Sequence, residues 1–71
     1  IRMLFKTALE HLATALILVH NHPSGQLVAS GADKDITQKI KLAGNSLDIK
    51  LLDHLIITQT GYFSFADDDI L

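Results

Sequence analysis

A short apolar run that ends in two histidines and a proline constrains this chain more than any other feature. Ala15 to Val19 reads Ala-Leu-Ile-Leu-Val and is followed by His20-Asn21-His22-Pro23-Ser24-Gly25. The brevity of the run and the turn-forming residues after it predict a buried strand that closes in a turn. Pro23 has no N–H to give a sheet ladder, so the strand should stop at or before His22. On extended backbone, side chains two apart project from the same face, so His20 and His22 should leave the strand end together.

Around this strand the periodicity predicts four further elements. Residues 1–13 read as an amphipathic helix, with Leu4, Ala8 and Leu12 recurring every four residues and Phe5 and Leu9 beside them. Residues 32–47 read as a second helix, with Ile36, Ile40, Ala43 and Leu47 on one face and Lys34, Lys39 and Lys41 solvating the rest. Gly44 within it costs about 1 kcal/mol relative to alanine, which predicts close packing there or an early end. Lys50 to Thr58 is β-branched and apolar, a second strand. Gln59-Thr60-Gly61 reads as a hairpin turn, Tyr62 to Phe65 as a third strand, and Asp67-Asp68-Asp69 as an acidic, frayed tail.

The expected architecture is a small α/β fold, three-layer-like, in the order helix, strand, helix, strand, strand. The strand-helix-strand unit implies a parallel crossover, and the closing hairpin adds an antiparallel strand, so the sheet is mixed. With three strands at least one edge should be unpaired, and the fold is expected to be incomplete.

Composition removes several function classes. A chain of 71 residues buries only about 60% of its unfolded surface, so its core is small. No cysteine is present, so neither disulfides nor thiolate metal sites contribute, which fits a cytoplasmic setting. A net charge of −2 with scattered basic residues lacks the basic face of nucleic-acid-binding domains. The apolar run is far short of the roughly 20 residues of a membrane span. No secretory signal is visible. The chain opens on Ile1 rather than methionine, so residues upstream are expected in the natural protein.

The chemistry concentrates in His20, His22, Ser30 and Asp33. Asp33 lies in the first turn of the second helix, where the loop from Pro23 to Ala29 can return it to the strand end. Two imidazoles and one carboxylate leave the fourth tetrahedral position to water, as in catalytic rather than structural zinc. Water on such an ion becomes a usable nucleophile near neutral pH. Each element also has a plainer reading. His-x-His recurs by chance, His-Pro-Ser-Gly is an ordinary turn, and Ser30 with Asp33 matches a helix capping box. The cap and the site are compatible, because a helix start orients its groups well, and Ser30 can donate to a developing oxyanion.

His20-Asn21-His22-Pro23, the seven residues Pro23 to Ala29, and Ser30-Gly31-Ala32-Asp33 resemble the JAMM (MPN+) signature H-x-H-x7-S-x-x-D. His20-Asn21-His22-Pro23-Ser24-Gly25, Leu52-Asp53-His54-Leu55-Ile56-Ile57 and Tyr62-Phe63-Ser64-Phe65 are similar to the bacterial RadC branch of that family. The resemblance covers nearly the whole chain. It implies part of a cytidine-deaminase-like JAMM core, Zn2+ held by His20, His22 and Asp33, Ser30 assisting the tetrahedral intermediate, and hydrolysis of peptide or isopeptide bonds in a bacterial cytoplasm. In the family a glutamate well upstream is the general base. The one glutamate here, Glu10, falls inside the first helix and reads as a solvated helix residue. The 71 residues are therefore expected to be the C-terminal part of such a domain, either a fragment whose base lies before Ile1 or a reduced relative without it. His54 has two readings, a residue behind the ligands that orients one of them and a packed, hydrogen-bonded core histidine.

Two function classes follow. The first is a zinc-dependent metallopeptidase-like hydrolase acting on a peptide or protein substrate. The second is a catalytically inactive interaction module, or the DNA-repair accessory protein that the RadC label suggests, although the charge pattern gives nucleic acid no support. The open sheet further predicts a homodimer or partner-dependent folding, with contact near Ala15 to Val19 or Lys50 to Thr58.

Overall fold

The computed structural model describes residues 1–22 and 24–71. Helix α1 (Arg2–Glu10) leads into strand β1 (Ala15–Asn21), helix α2 (Gly31–Ser46), strand β2 (Lys50–Ile57) and strand β3 (Tyr62–Ser64). The element order is the expected one, and β1 stops before His22. Pro23, to which that stop was assigned, lies outside the described residues. β1 pairs parallel with β2, and β2 antiparallel with β3, in the sheet order β1-β2-β3. β1 is thus an edge strand among the described residues.

Both helices lie on one face of the sheet. Phe5 and Ala8 of α1, Ile40 of α2, Ile49 and Leu51 form one buried cluster, and Leu16 and Leu18 of β1 pack against it. A second cluster of Ala29, Ile56 and Phe65 sits nearer the hairpin. Helices and sheet make two layers, and the opposite sheet face is open. β1 is therefore not the fully buried strand that its composition predicts: Ile17 is 57% and Val19 62% exposed.

In α1 the apolar stripe is narrower than the periodicity predicts. Phe5 and Ala8 are buried and Leu4 half-buried, whereas Leu9 is exposed and Leu12 is 86% exposed. The helix ends at Glu10, and Leu12 takes a positive φ of 54°. That turn directs the chain into β1 and swings Leu12 off the stripe. Leu9 follows Ala8 by about 100° around the helix and falls on its flank.

In α2 the buried face is Asp33, Thr37, Ile40 and Gly44. Of the residues expected there, Ile40 is buried and Ala43 half-buried, but Ile36 and Leu47 are exposed. The physical reason is polar: Asp33 and Thr37 have hydrogen-bonding partners on the strands, and satisfying them rotates the helix. Gly44 is the close-packing glycine, because a Cβ there would run into the backbone carbonyl of Ile49.

A bulge re-phases β2. Leu16 pairs with Leu51 but Ile17 with Asp53, so Leu52 is an inserted residue. Beyond it, His54 and Ile56 turn onto the helix-covered face, opposite Leu18 and His20. Bulges commonly re-aim side chains in this way beside functional sites.

The acidic tail is ordered rather than frayed. After β3 the chain turns back, with the Asp68 N–H donating to the Ser64 carbonyl at 3.2 Å and the Ile70 N–H to the Phe65 carbonyl at 3.0 Å. Lys41 Nζ donates to the Leu71 carbonyl at 2.9 Å.

Candidate metal centre

The C-terminal end of β1 and the N-terminal turn of α2 meet at one point. His20 occupies the penultimate position of β1 and His22 follows its last residue. The His22 N–H is tied to the Ile57 carbonyl at 3.0 Å, and its carbonyl accepts from the Gly25 N–H at 3.1 Å. Gly25 has φ +80°, the left-handed region that glycine enters without steric cost. The Gly25 N–H contact closes a turn between His22 and Gly25, and residues 24–29 lead from it to the start of α2.

Ser30 caps that helix. Its Oγ accepts from the Asp33 N–H at 3.0 Å, and its own N–H donates to Asp33 Oδ2 at 2.9 Å. This reciprocal capping box fixes the Asp33 carboxylate, which is only 4% exposed. His20 Nδ1 lies 2.9 Å from Asp33 Oδ1, and His22 Nε2 lies 3.2 Å from Asp33 Oδ2. One ligand atom from each of the three residues falls within 4.8 Å of the others. Zinc with bonds of about 2.0–2.2 Å separates tetrahedral ligand atoms by roughly 3.3–3.6 Å, between the 2.9 and 3.2 Å contacts to Asp33 and the 4.8 Å limit of the group.

The hydrogen bonds also suit a metal chemically. His22 Nδ1 lies 3.1 Å from the Gln26 carbonyl. A carbonyl only accepts, so Nδ1 carries the hydrogen and Nε2 faces Asp33. A carbonyl-anchored imidazole of this kind is the usual arrangement behind a metal ligand. Burial pushes the Asp33 carboxyl up, but hydrogen bonding from Ser30 and the neighbouring imidazoles outweigh it and hold the group below its usual range. The Asp33 carboxylate is thus ionised at neutral pH.

Ser30 sits at the lip of an open cleft of about 450 Å3 that also touches His20, His22, Gln26, Val28 and Asp33. With Oγ accepting from Asp33, its hydroxyl hydrogen remains available to donate into the cleft.

His54 lies behind the cluster, its ring 6.2 Å from that of His20. It is 3% exposed, its Nδ1 lies 2.6 Å from Thr37 Oγ1, and burial holds its imidazole below the usual value. Glu10 is elsewhere. It pairs with Lys6 at 3.1 Å on the exposed side of α1. It also precedes β1, whose seven residues separate it from the site by about 20 Å. Sequence reasoning missed Thr37 and the Gln26 carbonyl. Thr37 could have been found by stepping four residues along the helix from Asp33, whereas a backbone carbonyl leaves no signal in sequence.

Fold and site together define a small α/β domain that presents two imidazoles and a carboxylate to one point at a strand end. The family model for the RadC-like JAB domain matches residues 1–70, and the chain belongs to that family. It is similar to a UPF0758 protein of Flavobacterium johnsoniae, 63% identical over 70 residues, which cover 99% of this chain and 31% of that protein. A UPF0758 protein of Pelodictyon phaeoclathratiforme is 49% identical over 70 residues, covering 99% of this chain and 32% of that protein. One from Streptococcus sanguinis is 46% identical over 67 residues, covering 94% and 30% respectively. The chain thus spans about a third of the length of the curated relatives it matches. Among the described residues no helix is long and apolar enough to cross a membrane.

Proposed function

We propose that this chain carries the zinc site of a metallopeptidase-like hydrolase that cleaves peptide or isopeptide bonds in a protein substrate. The convergence of His20, His22 and Asp33 within 4.8 Å carries the reading. These residues would hold the ion, and bound zinc supplies Lewis acidity that brings the pKa of water towards neutrality.

The chain's own groups divide the remaining work. Asp33 supplies the negative charge, kept ionised by the Ser30 cap. His22 presents Nε2 because its Nδ1 is committed to the Gln26 carbonyl. The Ser30 hydroxyl donates to negative charge that develops on a substrate carbonyl oxygen in the cleft. Proton abstraction needs a carboxylate near the site, and Glu10 is not placed for it. On this reading the base comes from the part of the longer relatives outside these 71 residues.

Elemental analysis of protein purified without chelator tests the metal assignment. About one zinc per chain is expected, and His22→Ala should lose most of it. Equal metal in wild type and variant would sink the ligand assignment.

A further inference from the structure

We propose that Thr37 and His54 form a positioning relay that couples two ligands on different elements, Asp33 on α2 and His20 on β1. This rests on the zinc reading above and extends it to residues that touch no ion.

The relay is directional. The Thr37 hydroxyl donates to the Asp33 carbonyl at 2.7 Å, and the same oxygen lies 2.6 Å from His54 Nδ1. A hydroxyl has one hydrogen. With it committed to Asp33, the imidazole must carry its proton on Nδ1 and donate to Thr37. The sequence of bonds runs from His54 through Thr37 to the backbone of the ligand carboxylate. Thr37 is 1% exposed, so water does not substitute for either bond.

The ring of His54 is held on its own account. It stacks on Phe65 with centroids 4.5 Å apart and planes inclined by 12°. The ring of His20 lies near parallel to it, at 6.2 Å and 23°. A shift of His54 would therefore be felt at Asp33 through hydrogen bonds and at His20 through the ring.

Stability alone gives little reason for this pair. A threonine that bonds back to the carbonyl four residues earlier slightly destabilises its helix. Replacing both partners of a buried hydrogen bond by apolar groups of the same shape is close to neutral. A valine facing a phenylalanine would fill the same space. What that apolar pair lacks is a directional hold on the turn that carries Asp33.

The test is zinc affinity of the full chain, measured by competition with a chromogenic chelator, alongside unfolding of the metal-free protein. Outer hydrogen-bond partners of metal ligands are worth about 10–100-fold in affinity. Thr37→Val should weaken zinc by that factor and, because it leaves the buried His54 N–H unpaired, should also lower the metal-free unfolding midpoint. Thr37→Val with His54→Phe, which removes both partners, should weaken zinc with that midpoint little changed. Thr37→Ser, which keeps the hydroxyl, should bind close to wild type. His54→Phe should fall in the range of Thr37→Val, and the double variant should bind no more weakly than either single one, because both cut the same relay. If valine is not tolerated in the core, Thr37→Ala against Thr37→Ser makes the same comparison, since those two differ only in the hydroxyl. Wild-type affinity in the variant lacking the hydroxyl, or equal loss in Thr37→Ser, would overturn the relay while leaving the zinc site standing. A wild-type chain that binds no zinc would overturn both.

Discussion

The Asp53 carboxylate accepts the Ser64 hydroxyl at 2.6 Å across the β2–β3 hairpin. Its other oxygen accepts the His54 N–H at 2.7 Å and the Ala66 N–H at 3.0 Å. Ser64 Oγ in turn accepts from the Asp67 N–H at 3.1 Å. One carboxylate thereby docks the C-terminal turn, and the turn carries Phe65, the fully buried ring on which His54 stacks. Adjacent residues of β2 face different neighbours: Asp53 secures the tail, and His54 lies against Thr37 and the ring of His20.

Removing that carboxylate should therefore loosen the tail first. Hydrogen bonds to a charged group are worth about 1.5–3 kcal/mol, and orphaned donors add to the cost. Asp53→Ala should destabilise the chain by about 2–3 kcal/mol. For a domain of this size that lowers the melting midpoint by roughly 10–20 °C. Asp53→Asn keeps one acceptor oxygen and should lose less. Thermal unfolding followed by circular dichroism checks both, and a midpoint unchanged in Asp53→Ala would show that the tail holds without its anchor.

Acid should unfold the metal-free chain in two steps. Burial lowers the His54 imidazole from its usual 6.5. Burial raises the Asp53 carboxyl, but the Ser64 hydroxyl and the Ala66 and His54 N–H groups outweigh it and hold the group below its usual 3.8. In both cases the unfolded chain binds more protons between the two pKa values, so stability rises with pH there. The His54 contribution is complete above about pH 6.5 and declines as pH falls below it. The Asp53 contribution is complete above about pH 4 and is lost at lower pH. Urea midpoints across pH 3–7 should show both declines, and His54→Phe should abolish the upper one. An unchanged upper step in that variant would assign it to another group.

The convergence of His20, His22 and Asp33 was readable in sequence because the parts that bring it about are local. A strand-terminal His-x-His and a helix-opening Ser-x-x-Asp each specify their own backbone, and the turn at Gly25 brings them together. The element order was readable for the same reason. The buried face of α2 was not, because hydrophobic periodicity assigns Ile36 and Leu47 inward and treats Asp33 and Thr37 as solvated. Their partners, His20, His22 and His54, lie on other elements, and tertiary hydrogen bonding overrode the apolar pattern. The bulge at Leu52 was hidden too: a continuous apolar strand reads the same with or without an inserted residue. The tail misled through its three aspartates, whose charges suggested fraying while the backbone was being held from Asp53.

The placement of Glu10 makes a chemical prediction. A zinc-loaded preparation of these 71 residues should cleave peptide and isopeptide substrates poorly, because lost general acid–base assistance typically costs about 10²–10⁴ in rate. Glu10→Gln should change the residual rate little, since its carboxylate pairs with Lys6 and stands at the far end of β1. Vigorous zinc-dependent turnover that disappears in Glu10→Gln would reverse this assignment.

The edge at β1 leads to a prediction about association. Proteins usually protect a sheet edge with charged side chains or proline. Ala15 to Asn21 contains no lysine, arginine, aspartate, glutamate or proline, and Ile17 and Val19 point away from the helices into the open. A two-fold pairing of two such edges would satisfy both ladders and bring the apolar side chains of the two strands alongside each other, and two-fold symmetry is the commonest closure for identical chains. A homodimer joined along Ala15 to Val19 is therefore expected. Light scattering on a dilution series should report twice the monomer mass at high concentration, with an unfolding midpoint that rises with protein concentration. Val19→Lys, which puts a charge in the pairing row, should give a monomer with a concentration-independent midpoint. A wild-type particle of monomer mass, whose midpoint does not move on dilution, would show that the edge stays unpaired in solution.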